Sequence, residues 1–281
     1  MSQYILFNDE FLLADEAVLK ASNRGFKFGD GLFESMRMCN GKLQLAEEHA
    51  DRLKAGMKAL KMDGYNLLDA YFLRQKTGEL QRKNKLQGNL RFRLSVYRDG
   101  EGLYTPLSNK VGYLLEVSPL EQINYELNQK GLIIDVFDEL PKPINKLSNY
   151  KTSNALTFVM AGLFQKQHRL DEAFLLNQNG FLCESTSSNI FVVYQKQIYT
   201  PALTEGCVAG VMRTTVIRLA KMRNLTIVEA QINPQILNEA EEVFLTNATS
   251  GIRWVMGYGR KRYFNEVAKN LSAVLNNAIQ V

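Results

Sequence analysis

The chain has 281 residues, 46% apolar and 22% charged, the balance of a folded globular protein rather than a disordered one. Its three cysteines, Cys39, Cys183 and Cys207, stand far apart with no CxxC pair, which argues against a disulfide framework and a zinc site and fits a reducing cytoplasm. The net charge of +5 is spread along the chain rather than gathered in a stripe, so anionic small molecules are better partners than nucleic acid.

No apolar run approaches the 18 or so residues of a membrane span, and the opening MSQYILFNDE lacks the basic start of a signal peptide, so neither is expected. A short strand over residues 4–7 comes first, then a Gly-rich stretch, NRGFKFGDGLFESMR (residues 23–37). Helices are predicted over about 44–60 and 66–84, the first spacing Leu45, His49, Leu53, Met57 and Leu60 at helical intervals. LRFRLSVY (residues 90–97) alternates, with Leu90, Phe92, Leu94 and Val96 on one face and Arg91, Arg93, Ser95 and Tyr97 on the other. That is the pattern of a half-buried strand. A turn-rich loop leads to a strand near 111–117. The polar stretch 119–130 reads as an interdomain connection between a small α/β domain over 1–118 and a larger domain over 131–281. In the second half the pattern predicts strand 132–137, a loop holding Pro141 and Pro143, helix 152–168, and strands 172–177, 189–194 and 197–200. Helix 210–222, strands 225–231, 242–246 and 251–257, and helix 265–279 follow. Short strands interspersed with helices point to an α+β, mixed-sheet architecture.

Several chemistries drop out. Only two histidines exist; His49 lies on the apolar face of its helix, and His168 at a helix end, where an imidazolium suits the dipole. No metal-ligand spacing, GxSxG elbow or P-loop is present, and GDG (residues 29–31) does not extend to GxGxxG. What remains is lysine or carboxylate chemistry, or none.

Six segments occur in one order: NRGFKFGDGLFESMR, EEHADRLKAG, NYKTSN, DEAFLLNQNGFLCESTSSNIF, YTPALTEGCVAGVMR and EVFLTNATSGIRWV. Together, over about residues 20–257, they resemble the fold-type-IV pyridoxal-phosphate enzymes, the class-IV aminotransferase family. That family contains branched-chain and D-amino-acid aminotransferases and aminodeoxychorismate lyases. The resemblance implies a two-domain fold, with a small α/β domain and a larger mixed-sheet pseudo-barrel domain that binds pyridoxal 5′-phosphate. It also implies a homodimer with sites near the subunit interface.

Residue by residue, the resemblance makes Lys151 the amine that forms a Schiff base with the cofactor aldehyde and shuttles the substrate's α-proton. Glu184, in LCEST, takes the position that keeps the cofactor's ring nitrogen protonated. For the 5′-phosphate it implies Arg52 with the amides of Val211 and Met212, where Gly210 opens a helix, and further amides around Ala248 and Thr249. Val208 would pack against the pyridine ring. Phe28 lies on the substrate side, Phe33, Glu34 and Arg37 belong to the family's substrate-side strand, and Arg91 and Arg93 are candidates to hold a substrate carboxylate.

Two positions depart from the branched-chain pattern, which has tyrosines where this chain has Phe28 and Ala155. Phe28 and the dipeptide Asn247-Ala248 look closer to the aminodeoxychorismate lyases. A transaminase acting on a small amino acid and a 2-oxo acid, and a lyase releasing pyruvate and 4-aminobenzoate, both use Lys151. The sequence leaves both open.

Overall fold

The computed structural model describes residues 3–16, 18–122 and 124–279; Ile123, in the expected connection, lies outside them. Contacts divide the chain into two compact units: Met1–Ile123 with Tyr150–Asn154, and Asn124–Asn149 with Ala155–Val281. The lysine segment NYKTSN is therefore split, Lys151 going with the first unit. Among the described residues no helix is long and apolar enough to cross a membrane.

The first unit is built on one antiparallel sheet. Its strands are β1 (Tyr4–Phe7), β2 (Glu10–Leu13), β3 (Gly31–Cys39), β4 (Lys42–Leu43), β5 (Leu90–Arg98) and β6 (Val111–Pro119), in the order β2-β1-β6-β5-β3-β4. Leu90, Phe92, Leu94 and Val96 are at most 1% exposed, so the alternation read from the sequence is the core face. Against that face pack Leu53 and Met57 of α2 (Ala46–Ala59) and Leu73 and Leu80 of α3 (Ala70–Lys83). The α3 helix begins later than its periodicity suggests because Asp69 caps it, its side chain accepting from the Phe72 amide.

The Gly-rich stretch contains a short helix that the sequence does not suggest, followed by the strand that carries Phe33, Glu34 and Arg37. Asn23 caps a short helix, α1 (Arg24–Phe28), and Gly29 ends it at φ +64°, a conformation open to glycine. Then β3 begins, with Leu32, Met36 and Met38 in the core and Glu34 buried on the same side. The expected helix start at residue 152 is a second difference. Residues 150–154 form no helix but an irregular segment with an isolated bridge from Thr152 to Leu32, and the helix α4 runs over Leu156–Gln167.

The second unit is a nine-stranded mixed sheet. Its strands are β7 (Leu132–Lys142), β8 (Glu172–Asn177), β9 (Leu182–Ser185), β10 (Asn189–Tyr194), β11 (Gln197–Pro201), β12 (Ile227–Ala230), β13 (Glu242–Asn247), β14 (Gly251–Tyr258) and β15 (Lys261–Arg262). They run β12-β11-β10-β13-β14-β7-β8-β9, with β15 on β14. The sheet curls until β9 meets β10, which encloses Leu132, Phe174, Leu182, Ile190, Val192 and Leu245. Outside it lie α4, α5 (Val211–Met222) and α6 (Glu266–Ile279). The loop expected around Pro141 is instead the end of β7. Its ladder to β8 slips after Phe137 and resumes at Lys142, opposite Asn177. Pro141 is exposed in that slip, where its missing N–H costs no ladder bond.

Candidate active site

In the first unit the backbone of Lys151 is held on β3. The Phe33 amide donates to the Lys151 carbonyl at 2.9 Å, and the Ser153 amide to the Gly31 carbonyl at 2.9 Å. The lysine Nζ lies 4.5 Å from the centroid of the Phe33 ring, and the Arg93 guanidinium carbon 3.9 Å from the same ring. Phe33 is thus shared by two cations on the sheet face opposite the core. Arg93 also approaches Glu116 at 3.9 Å, while Arg91 is exposed on the same strand face.

On the core side, Glu34 is gripped by α2. Arg52 Nε donates to Glu34 Oε1 at 2.8 Å, its Nη2 reaches Oε2, and His49 Nδ1 lies 2.6 Å from Oε2. His49 is 0% exposed, and its Nε2 has no hydrogen-bond partner among the described residues. Burial by itself would raise the Glu34 carboxyl, but the Arg52 charge and His49 hold it down at about 2. A depressed carboxylate stabilises the fold above its ordinary value of 4.5, and that contribution is lost as pH falls toward 2. Glu34→Gln should therefore cost stability at neutral pH, and the gap to the parent should shrink by about 3 kcal/mol between pH 4.5 and 2. Urea unfolding across that range measures it; a gap that does not change with pH would mean Glu34 is not held ionised.

Arg37 is 0% exposed, donating from Nη2 to the Gln122 carbonyl at 2.7 Å and from Nε to Cys39 Sγ. A guanidinium so enclosed also fastens the chain, tying β3 to the Gln122 carbonyl. Phe28 is half-buried, with the Arg24 guanidinium 5.0 Å from its centroid and the Tyr104 ring 5.5 Å away.

In the second unit Glu184 is 4% exposed on β9. Its Oε1 pairs with Lys142, and its Oε2 accepts the Val208 amide at 3.1 Å. Burial works against the Lys142 ammonium, yet the Glu184 charge beside it leaves its pKa raised overall. Val208 is fixed from its other end as well: its carbonyl accepts from Asn189 Nδ2 at 2.8 Å. The Asn149 amide group donates to the Leu203 and Cys207 carbonyls, and the Ala209 amide to the Asn149 carbonyl. Gly210 then opens α5. A Cβ there would lie 1.9 Å from Asn189 Oδ1, so a side chain at 210 would displace the amide group that holds Val208. The N-cap, Gly210, has no side chain to cap α5, and among the described residues no side chain accepts from the first-turn amides of Val211 and Met212. After β13, Asn247 Oδ1 accepts from the Thr249 and Ser250 amides, and Tyr125 donates from its hydroxyl to the Ala248 carbonyl.

The family profile described as amino-transferase class IV matches residues 31–257, so the chain belongs to that family. Its members are pyridoxal-phosphate-dependent enzymes. Relatives include the putative branched-chain-amino-acid aminotransferase of Methanocaldococcus jannaschii, 29% identical over 88% of this chain and 85% of its own. The aminodeoxychorismate lyase of Bacillus subtilis is 25% identical over 87% of this chain and 83% of its own. The solved branched-chain aminotransferase of Thermoproteus uzoniensis superposes with a TM-score of 0.89 at 21% identity, over 99% of this chain and 95% of that one. The fold is accordingly that of the fold-type-IV enzymes.

The residues of each unit fit such a cofactor. In the first unit the Lys151 amine suits an aldehyde; in the second the buried carboxylate of Glu184 suits a ring N–H, and the α5 entrance behind Gly210 suits a phosphate. Lys142 and the Glu34–His49 pair were not picked out from the sequence. Lys142 sits between two prolines and reads as loop, and the pairing of Glu34 with His49 needs β3 and α2 side by side.

Proposed function

We propose that this chain is a pyridoxal-phosphate-dependent aminotransferase that acts on a small amino acid with a 2-oxo acid as acceptor, Lys151 providing the reactive amine. The observation that carries the reading is the fastening of Lys151 to β3 on both sides, which presents Nζ over Phe33. When bound, the cofactor supplies an aldehyde and a ring that draws electrons from the substrate's Cα. Lys151 Nζ, as the neutral amine, would be the nucleophile toward that aldehyde, and it would carry the proton lost from the substrate's Cα to the former aldehyde carbon. Glu184 accepts the hydrogen bond of the ring N–H and keeps that proton in place. Arg52, the amides of Val211 and Met212, and the turn at Ala248 and Thr249 hold the phosphate, with Val208 against the ring. On the substrate side stand Phe28, Phe33, Arg37, Arg91 and Arg93. A cytoplasmic homodimer completes the reading, on the family's pattern.

A second reading, lyase cleavage of 4-amino-4-deoxychorismate, is favoured by Phe28, which lacks the phenol of the branched-chain pattern. The similarity to the Bacillus lyase points the same way. Either substrate class with a second carboxylate suits Arg91 and Arg93, because desolvating that carboxylate is unfavourable without a cation. Steady-state kinetics with leucine, isoleucine, valine, dicarboxylic and D-amino acids plus 2-oxoglutarate, and separately with aminodeoxychorismate, test both. We expect kcat/KM for the branched-chain acids at least about ten-fold below the best substrate. Pyruvate and 4-aminobenzoate release without amino transfer would replace the first reading with the second, and leucine as the best substrate would end the argument from Phe28 and Ala155.

A further inference from the structure

Glu184 has a partner whose presence stability does not explain. Lys142 is 7% exposed, its Nζ on Glu184 Oε1, on the Ser148 carbonyl at 3.1 Å, and 5.4 Å from the centroid of Phe158. Ser148 is itself braced, its hydroxyl donating to the Pro143 carbonyl at 2.8 Å and accepting from the Asn145 amide at 2.8 Å. A buried ion pair is no more stabilising than apolar residues of the same volume, because desolvating two charges offsets their attraction. What the arrangement does provide is a fixed carboxylate: each oxygen has its own donor, Lys142 on one and the Val208 amide on the other.

We propose that Lys142 is a positioning residue, which fixes the Glu184 carboxylate and keeps it negatively charged toward the cofactor's ring nitrogen. The inference rests on the reading of Glu184 given above. Lys142 touches neither substrate nor reacting atoms in this scheme; it acts through Glu184. Without the ammonium, a carboxylate in this buried place holds a proton more readily. The proton shared with the ring nitrogen then moves toward Glu184, and the ring loses its pull on electrons. The same geometry couples the two side chains in the protein alone, since either one left by itself is an unpaired buried charge.

The test uses the full chain as parent, Lys142→Met, Lys142→Arg, Glu184→Gln and the double variant Lys142→Met/Glu184→Gln. The first readout is the 15N shift of cofactor labelled at the ring nitrogen. Lys142→Met should move it toward the unprotonated position, as Glu184→Gln does, and Lys142→Arg should restore it. The second readout is the thermal midpoint without cofactor. Each neutralising single variant should lose about 10 °C, and the double variant should regain most of that loss. If the Met variant does not fold, Lys142→Gln takes its place, with the same direction of shift expected. A parent-like 15N shift in the Lys142 variants, with Glu184→Gln displaced, overturns the positioning role alone. A parent-like shift in Glu184→Gln overturns the reading of Glu184 and the inference with it. Additive midpoint losses overturn the coupling.

Discussion

Replacing Lys151 with alanine is expected to leave the fold intact and to lower turnover by at least about a thousand-fold, the scale on which loss of a covalent nucleophile acts. The fold should survive because the bonds at this position are made by the backbone: the Lys151 carbonyl accepts from Phe33, and Ser153 donates to Gly31, whatever side chain stands at 151. The Lys151 side chain is partly exposed, and its Nζ lies over the Phe33 ring, a contact whose loss costs little. Borohydride reduction of the loaded protein followed by peptide mapping checks the assignment directly. In the parent the added mass should fall on the peptide containing Lys151, and in Lys151→Ala it should vanish. Mass still fixed on another lysine, Lys142 included, would move the reactive amine elsewhere.

The second large effect concerns Arg52, for which two consequences should separate. Its guanidinium is the main cation on Glu34, which is 1% exposed and otherwise has His49. Arg52→Ala leaves a buried carboxylate poorly paired, a loss of about 3–5 kcal/mol of stability without any ligand. Under the proposed role it also removes a charge-assisted hydrogen bond to phosphate, raising the cofactor dissociation constant about ten-fold or more. Glu34→Gln combined with Arg52→Ala distinguishes the two. The double variant should recover stability, since no charge is then left buried, while cofactor affinity stays low. Recovery of both would make Arg52 a purely structural residue.

Much of the fold was legible in local pattern. The strands at Glu172–Asn177 and Asn189–Tyr194 fall where the sequence places them, because runs of apolar and β-branched residues there end at strong turn formers. LRFRLSVY shows its buried face by alternation alone. β3 shows in the sequence through the family resemblance rather than through its pattern, because glycines precede it and it carries Glu34 and Arg37, polar residues that a core strand should not carry. Both are tolerated because partners distant in sequence neutralise or bind them: Arg52 and His49 for one, the Gln122 carbonyl for the other. Lys142 was invisible for the same reason. Between Pro141 and Pro143 it looks like a solvated loop lysine, and only the resumption of the β7–β8 ladder carries it inside, opposite Glu184.

By itself, then, the sequence determined the family, the α+β class and the residue types at the candidate site, because motif order and hydrophobic period are local properties that survive reading along one dimension. Tertiary structure decided which charges are buried and with whom. It drew Lys151 onto β3 instead of into the next helix, enclosed Arg37 beside Gln122, and set Lys142 against Glu184. The physical reason is that the worth of a charge depends on its desolvation and its nearest counter-charge, and both are properties of neighbours in space.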